Sequence, residues 1–312
     1  MVNILVLAIG FILLVKGADY FVNGASEVSK KLKVPSLIIG LTIVAFGTSA
    51  PEASVSIAAA ISKNNDLSIG NIVGSNIFNL LIVLGVSLLF SKIHLKKEMI
   101  RRDFSFIILS SVLLLLFSLK VNNNLILSLV EGIILLVIFI GYVILNIKSS
   151  KDNKTEIPST NTKLIFNLLF LIGGLLAIIF GGRLVTNSAV ELAKMIGITE
   201  NLIGLTIVGI GTSLPELITS IVANKKGEKD IAIGNVIGSN IFNILFILGA
   251  SAVISPLTVN VISLYDMVIL LVISIVFVIY SSIKKELGKK EGIIMILTYI
   301  AYMIYIILRD IM

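Results

Sequence analysis

Residues 39–52 read IGLTIVAFGTSAPE, and residues 203–216 read IGLTIVGIGTSLPE. A second pair, SIGNIVGSNIFN (68–79) and AIGNVIGSNIFN (232–243), has the same offset of 164. Aligning 39–91 with 203–255 needs no gap and gives 29 identities in 53 positions. The matches include Gly, Thr, Ser, Pro, Glu and Asn, so shared apolarity does not explain them. Whatever architecture one half adopts, the other half is expected to repeat.

Composition says where that architecture sits. The chain has 312 residues, of which 57% are hydrophobic and only 14% charged, and its mean hydropathy is +1.08. Soluble domains carry about 25% charged residues. A chain of this size and apolarity could not cover its cores with polar surface, so an integral membrane protein is expected. Ten apolar stretches long enough to span a bilayer fall at about 2–29, 36–62, 67–91, 102–119, 125–147, 164–194, 201–223, 229–254, 262–282 and 292–308. The expected fold is all-α, with residues 1–147 and 164–312 as two five-helix repeats. Residues 148–163, rich in Lys, Asp, Asn, Thr and Ser, form a linker too short for a folded domain.

Five spans separate equivalent positions, and five is odd. The second repeat therefore enters the membrane upside down, an inverted-topology arrangement typical of secondary transporters, whose site lies at the midplane between repeats. Charge sets the orientation. With the N-terminus outside, inward loops hold nineteen Lys/Arg residues and outward ones four, as the positive-inside rule requires. Both termini are expected outside a plasma membrane. The net charge of +7 thus belongs to topology and not to nucleic-acid binding. No basic n-region or cleavage site marks a signal peptide.

Several chemistries are excluded. There is no Cys, and the single histidine, His94, sits in a basic loop. The repeated residues include no nucleophile–base pair, so no catalytic residue and no enzyme activity are expected. No resident cofactor is expected either.

The repeated polar residues fit ion binding. Pro51 cannot donate to the carbonyl of Gly47, nor Pro215 to that of Gly211, so spans 2 and 7 should break there. Thr48/Ser49 and Thr212/Ser213 fall at the breaks, and freed carbonyls near 45–47 and 209–211 become cation ligands. Glu52 and Glu216 start new half-helices, where the dipole favours a carboxylate. Isolated carboxylates in hydrocarbon cost several kcal/mol, and two at symmetric positions need a compensating cation. In spans 3 and 8, Asn71, Ser75 and Asn79, and Asn235, Ser239 and Asn243, recur every four residues on one face. Asn71, Asn235 and the glycines at 70, 74, 234 and 238 read as packing, and Asn76 and Asn240 as backbone-bonded. The donor set is all oxygen, which suits Ca²⁺ with its six to eight oxygen ligands better than Mg²⁺. Several Na⁺ ions could take the same oxygens.

These paired GTS-x-PE and GN-x-x-GSN-x-x-N segments resemble the two α-repeats of the cation/Ca²⁺ exchanger superfamily, and within it the prokaryotic sodium/calcium exchangers. The resemblance covers nearly the whole chain. It implies ion ligation by Thr48, Ser49, Glu52, Ser75, Asn79, Thr212, Ser213, Glu216, Ser239, Asn243 and the carbonyls of Ala45 and Gly209. It implies that spans 1 and 6 slide as gate helices, and that three Na⁺ exchange for one Ca²⁺ by alternating access. Asn243 stands where K⁺-dependent members have Asp, which argues against K⁺ transport. The chain is expected to work as a monomer in the lipid bilayer. H⁺/Ca²⁺ exchange through the same glutamates is the alternative, and an inverted repeat with one midplane site does not suggest a channel.

Charges elsewhere read as structural. Lys16 and Asp19 in span 1 are spaced as an i, i+3 pair, with an Asp19–Arg183 bridge as the weaker option. Glu131 and Glu291, equivalent at an offset of 160, should sit near the N-terminal ends of spans. Asp66 and Asp230 read as N-caps.

Overall fold

The computed structural model describes residues 2–119, 125–152, 162–197 and 209–311. The described chain is almost entirely helical: α1 (Val2–Leu32), α2 (Ser36–Thr48), α3 (Ala50–Ile61), α4 (Asn65–Phe90), α5 (Lys97–Ser118), α6 (Leu129–Asp152), α7 (Leu164–Met195), α8 (Gly209–Thr212), α9 (Leu214–Lys225), α10 (Lys229–Ile254), α11 (Val261–Lys284) and α12 (Lys289–Ile311). Seven of these helices are long and apolar enough to cross a membrane, or eight if the bent pair α2–α3 is one span. The expected span at 102–119 falls in α5, whose first turns carry Lys97, Glu98, Arg101, Arg102 and Asp103. The first eight residues of the expected span at 201–223 lie outside the described residues.

Burial separates a centre from a periphery. The most apolar window of α10 is 94% buried and that of α4 78%, against 22–28% for α1, α6, α7, α11 and α12. The two helices carrying the GN-x-x-GSN-x-x-N motif are therefore the middle of the molecule, while the others turn apolar faces outward. Both central helices loosen into a π-helical turn at the last motif residue, over Asn79–Val83 and Asn243–Leu248, and such turns recur at functional sites. A third π turn, Gly40–Val44, lies in α2.

Small residues set the close crossings. In α1 and α7, glycines recur every seven residues, and a Cβ on Gly17 would lie 2.9 Å from the Gly174 carbonyl oxygen. Gly10 meets the Gly181 carbonyl in the same way, at 3.0 Å. The pairing runs Gly10–Gly181, Gly17–Gly174, so the two helices are antiparallel with backbones in contact, a packing that any larger side chain would prevent. Gly234 in α10 likewise faces the Leu37 carbonyl, 2.8 Å from its would-be Cβ.

Two short antiparallel ribbons join the halves: β1 (Ile93–His94) pairs with β4 (Glu286–Leu287), and β2 (Ile126–Leu127) with β3 (Leu257–Thr258). β3 follows β1 by 164 residues and β4 follows β2 by 160, so each ribbon is the repeat equivalent of the other. The four-residue change in length therefore lies between β1 and β2 as compared with β3 and β4. The glycine contacts obey the same rule: a Cβ on Gly85 would lie 3.1 Å from the Gly292 carbonyl, and one on Gly132 2.8 Å from that of Gly249.

Three local expectations are corrected. The helix starting near Asp66 is capped by Asn64, whose side chain accepts from the Leu67 amide at 3.3 Å, because Asn64 occupies the position just before the first helical turn. Asp66 accepts instead from Asn260 at 2.8 Å. Asp230 is a first-turn residue ion-paired with Lys96. Asp19 pairs with neither Lys16 nor Arg183 but with Lys226, at 2.6 Å. Asp19 lies midway along α1, where the side chain of Lys226, just past the end of α9, reaches it. Glu131 and Glu291 do occupy first turns, accepting from the amides of Ser128 (3.0 Å) and Gly288 (2.9 Å).

Candidate cation site

Each broken span bends at one serine. Ser49 between α2 and α3 has φ −82° and ψ 8°, and Ser213 between α8 and α9 has φ −92° and ψ 5°. Pro51 and Pro215 then occupy the first positions of the new helices, where a missing N–H costs nothing. The bend across Ser49 is 50°. This break is narrower than a stretch of unwound backbone: the Ser49 amide still donates to the Ala45 carbonyl at 3.1 Å, because proline deletes only one bond of the ladder. The Thr48 hydroxyl also lies within reach of the Ala45 carbonyl, at 3.4 Å. The Gly209 carbonyl accepts from the Thr212 hydroxyl at 3.2 Å.

Glu52 and Glu216, in the first turns of α3 and α9, are both fully buried. Each is held by the serine of the other repeat. Ser49 Oγ donates to Glu216 Oε1 at 2.8 Å, and Ser213 Oγ to Glu52 Oε1 at 2.9 Å. Ser75 joins the Glu52 cluster through Ser213 Oγ, at 2.9 Å, and Ser239 reaches Glu216 Oε1 at 3.4 Å. The two half-sites are thus interlocked across the repeat boundary.

A second ring supports the first. Thr48 Oγ1 donates to Asn235 Oδ1 at 2.9 Å, and Thr212 Oγ1 to Asn71 Oδ1 at 3.2 Å. Asn71 Nδ2 donates to Ser56 Oγ (2.9 Å) and to the Glu52 carbonyl (3.3 Å), while Asn235 Nδ2 does the same to Ser220 (3.0 Å) and Glu216 (3.3 Å). Asn71 and Asn235 are therefore struts with every amide atom engaged. Ser56 and Ser220, both buried, complete them and were not singled out from sequence. Their signal was present: they are identical across the repeat and stand one turn beyond each glutamate.

The remaining polar atoms are the informative ones. Glu52 Oε2, Glu216 Oε2, Asn243 Oδ1 and both amide atoms of Asn79 are buried with no hydrogen-bond partner. Asn243 Nδ2 donates to Asn76 Oδ1 at 3.0 Å, and Asn76 Nδ2 to the Asn240 carbonyl at 3.0 Å. Orphaned buried oxygens are rare in folded proteins because each carries a desolvation penalty. Among the described residues no cationic side chain bridges to either glutamate. Buried carboxylate oxygens left without a partner beside serine hydroxyls are suited to a hard cation, as are unpartnered amide oxygens.

A polytopic helical protein with buried, cation-ready oxygens at interlocked helix breaks is of the transporter class. The comparisons specify it. The sodium/calcium exchanger protein family matches residues 2–148 and 166–308. The chain is 34% identical to the sodium/calcium exchanger MaX1 of Methanosarcina acetivorans, over 97% of this chain and 98% of that one. It is 35% identical to the inner membrane protein YrbG of Escherichia coli, covering 87% of this chain and 86% of the relative. The structure of the sodium-calcium exchanger NCX_Mj soaked with Na⁺ and Ca²⁺ superposes with a TM-score of 0.85 at 30% identity, over 96% and 97% of the two chains. The chain belongs to the sodium/calcium exchanger family and is a multi-pass membrane protein.

Proposed function

We propose that this protein is a secondary active antiporter that moves Na⁺ inward and Ca²⁺ outward by alternating access, three Na⁺ for one Ca²⁺, without K⁺. The observation that carries the reading is the pair of interlocked glutamates, each with one oxygen held by the opposite repeat's serine and one left open. Two carboxylates neutralise one Ca²⁺. Several Na⁺ ions using the same oxygens exclude Ca²⁺, which is the mutual exclusion antiport needs. Thr48, Ser49, Ser75, Asn79, Thr212, Ser213, Ser239, Asn243 and the carbonyls of Ala45 and Gly209 complete the ligand set. Asn243 in place of a third carboxylate supports K⁺ independence.

Ten spans in two inverted five-helix repeats, residues 1–147 and 164–312 joined by a linker at 148–163, account for the exchange of contacts at offsets of 164 and 160. Both termini outside the plasma membrane accounts for the distribution of lysine and arginine. The glycine-paired α1 and α7 then move as one gate across the site.

Uptake of ⁴⁵Ca²⁺ into proteoliposomes loaded with Na⁺, K⁺ or acidic buffer tests the reading. Uptake is expected from Na⁺-loaded vesicles alone. Uptake driven equally by a proton gradient without Na⁺ would transfer the assignment to H⁺/Ca²⁺ exchange through the same glutamates.

A further inference from the structure

An apolar groove of about 290 Å³ opens on the outer face of the molecule between α11 and α12. Its walls include Val276, Phe277, Ile294 and Met295, and its floor includes Leu80 and Leu81. Val276 and Ile294 are about 60% exposed, so the groove faces lipid. One end is polar: Tyr280 Oη donates to Glu291 Oε1 at 2.9 Å there, at the start of α12.

The turn joining the two helices at that end reads KKELGKK over 284–290, and all four lysines are exposed. Its repeat equivalent, offset by 160, reads NLILSLV over 124–130 and has no lysine. Both turns form a ribbon strand and both end in a glutamate that caps the next helix. The fold therefore does not need the lysines. Lys289 and Lys290 even oppose the dipole of α12, since cations are disfavoured at a helix N-terminus. Topological bias explains basic residues on this side of the membrane, but it does not explain four of them clustered in the one turn that joins the two helices walling the groove, next to its Tyr280–Glu291 end.

We propose that this groove is a binding site for an anionic phospholipid of the adjacent leaflet. An acyl chain lies along Val276 and Ile294, and the phosphate is held by Lys284, Lys285, Lys289 and Lys290. The chain would rest on Leu80 and Leu81, which belong to the π turn that begins with Asn79. An occupied groove thereby braces the turn carrying an ion-site residue. The proposal rests on the chain's place in a membrane and not on the exchange reading.

Native mass spectrometry of the purified protein titrated with phosphatidylglycerol and phosphatidylcholine of matched chains tests it. Charge near a membrane surface is worth about 1 kcal/mol per lysine, so retention of phosphatidylglycerol is expected to exceed that of phosphatidylcholine by about tenfold or more. The variant K284Q/K285Q/K289Q/K290Q should bring the two lipids to parity, and Val276→Trp, which fills the groove, should lower retention of both. Equal retention of the two lipids by the wild type would overturn the proposal. So would a preference that survives the quadruple substitution, or displacement of the lipid by soluble glycerol phosphate at the same concentration.

Discussion

At the scale of single residues, the site is a pair of carboxylates whose partners come from the opposite half of the chain. That Glu52, Glu216, Ser49 and Ser213 belong together was legible, because polar residues repeated at a proline break have few other uses in a membrane. Which serine serves which glutamate was not. Spacing along one helix pairs Ser49 with Glu52, whereas tertiary packing turns Ser49 toward Glu216. Ser56 and Ser220 stand behind the struts Asn71 and Asn235. Ser56→Ala deletes the hydrogen bond from Asn71 Nδ2 and another to the Ser68 carbonyl; loss of the Asn71 bond alone, about 1 kcal/mol, should lower Ca²⁺ affinity about fivefold without loss of folding. Ser220→Ala should do the same, and calorimetric titration of each variant with Ca²⁺ checks it.

At the scale of elements, the glycine seam between α1 and α7 is the feature most exposed to mutation. A Cβ on Gly174 would lie 2.7 Å from the Gly17 carbonyl, backbone that cannot rotate aside. Gly174→Ala should cost about 1–3 kcal/mol and lower the melting temperature. Gly173→Ala, on the neighbouring face where a Cβ meets open space, should leave the melting temperature unchanged. Fluorescence-detected melting in detergent distinguishes the two. Helix positions were readable here from apolar length and from proline, yet two details escaped. Periodicity places a helix start within a few residues, which is why Asp66 and Asp230, each two residues past the cap position, were assigned as caps. The four two-residue strands carry no pattern of their own, since a pair of residues has no period. Only the two offsets, 164 and 160, hold their trace.

At the scale of the whole molecule, the repeat and the membrane class followed from sequence because both depend on long stretches and not on individual contacts. Ion pairs at the surface depend on where helix ends meet, so Lys226 as the partner of Asp19 was beyond a reading of span 1 alone. The orientation proposed here is testable because the chain has no cysteine. Single cysteines at Lys63 and at Lys285 should react oppositely with a membrane-impermeant maleimide applied to intact cells, Lys63→Cys labelled and Lys285→Cys protected until lysis. Labelling of both, or the reverse pattern, would refute the outside placement of the termini.

The central claim is that one Ca²⁺ and competing Na⁺ ions share the oxygens around Glu52 and Glu216. Calorimetric titration of Ca²⁺ into the purified protein, with and without Na⁺, tests it most directly when run beside Glu52→Gln and Glu216→Gln. The wild type should bind one Ca²⁺ that Na⁺ displaces, and either substitution should abolish that binding. Binding that persists in both variants, or that Na⁺ leaves untouched, would contradict the account.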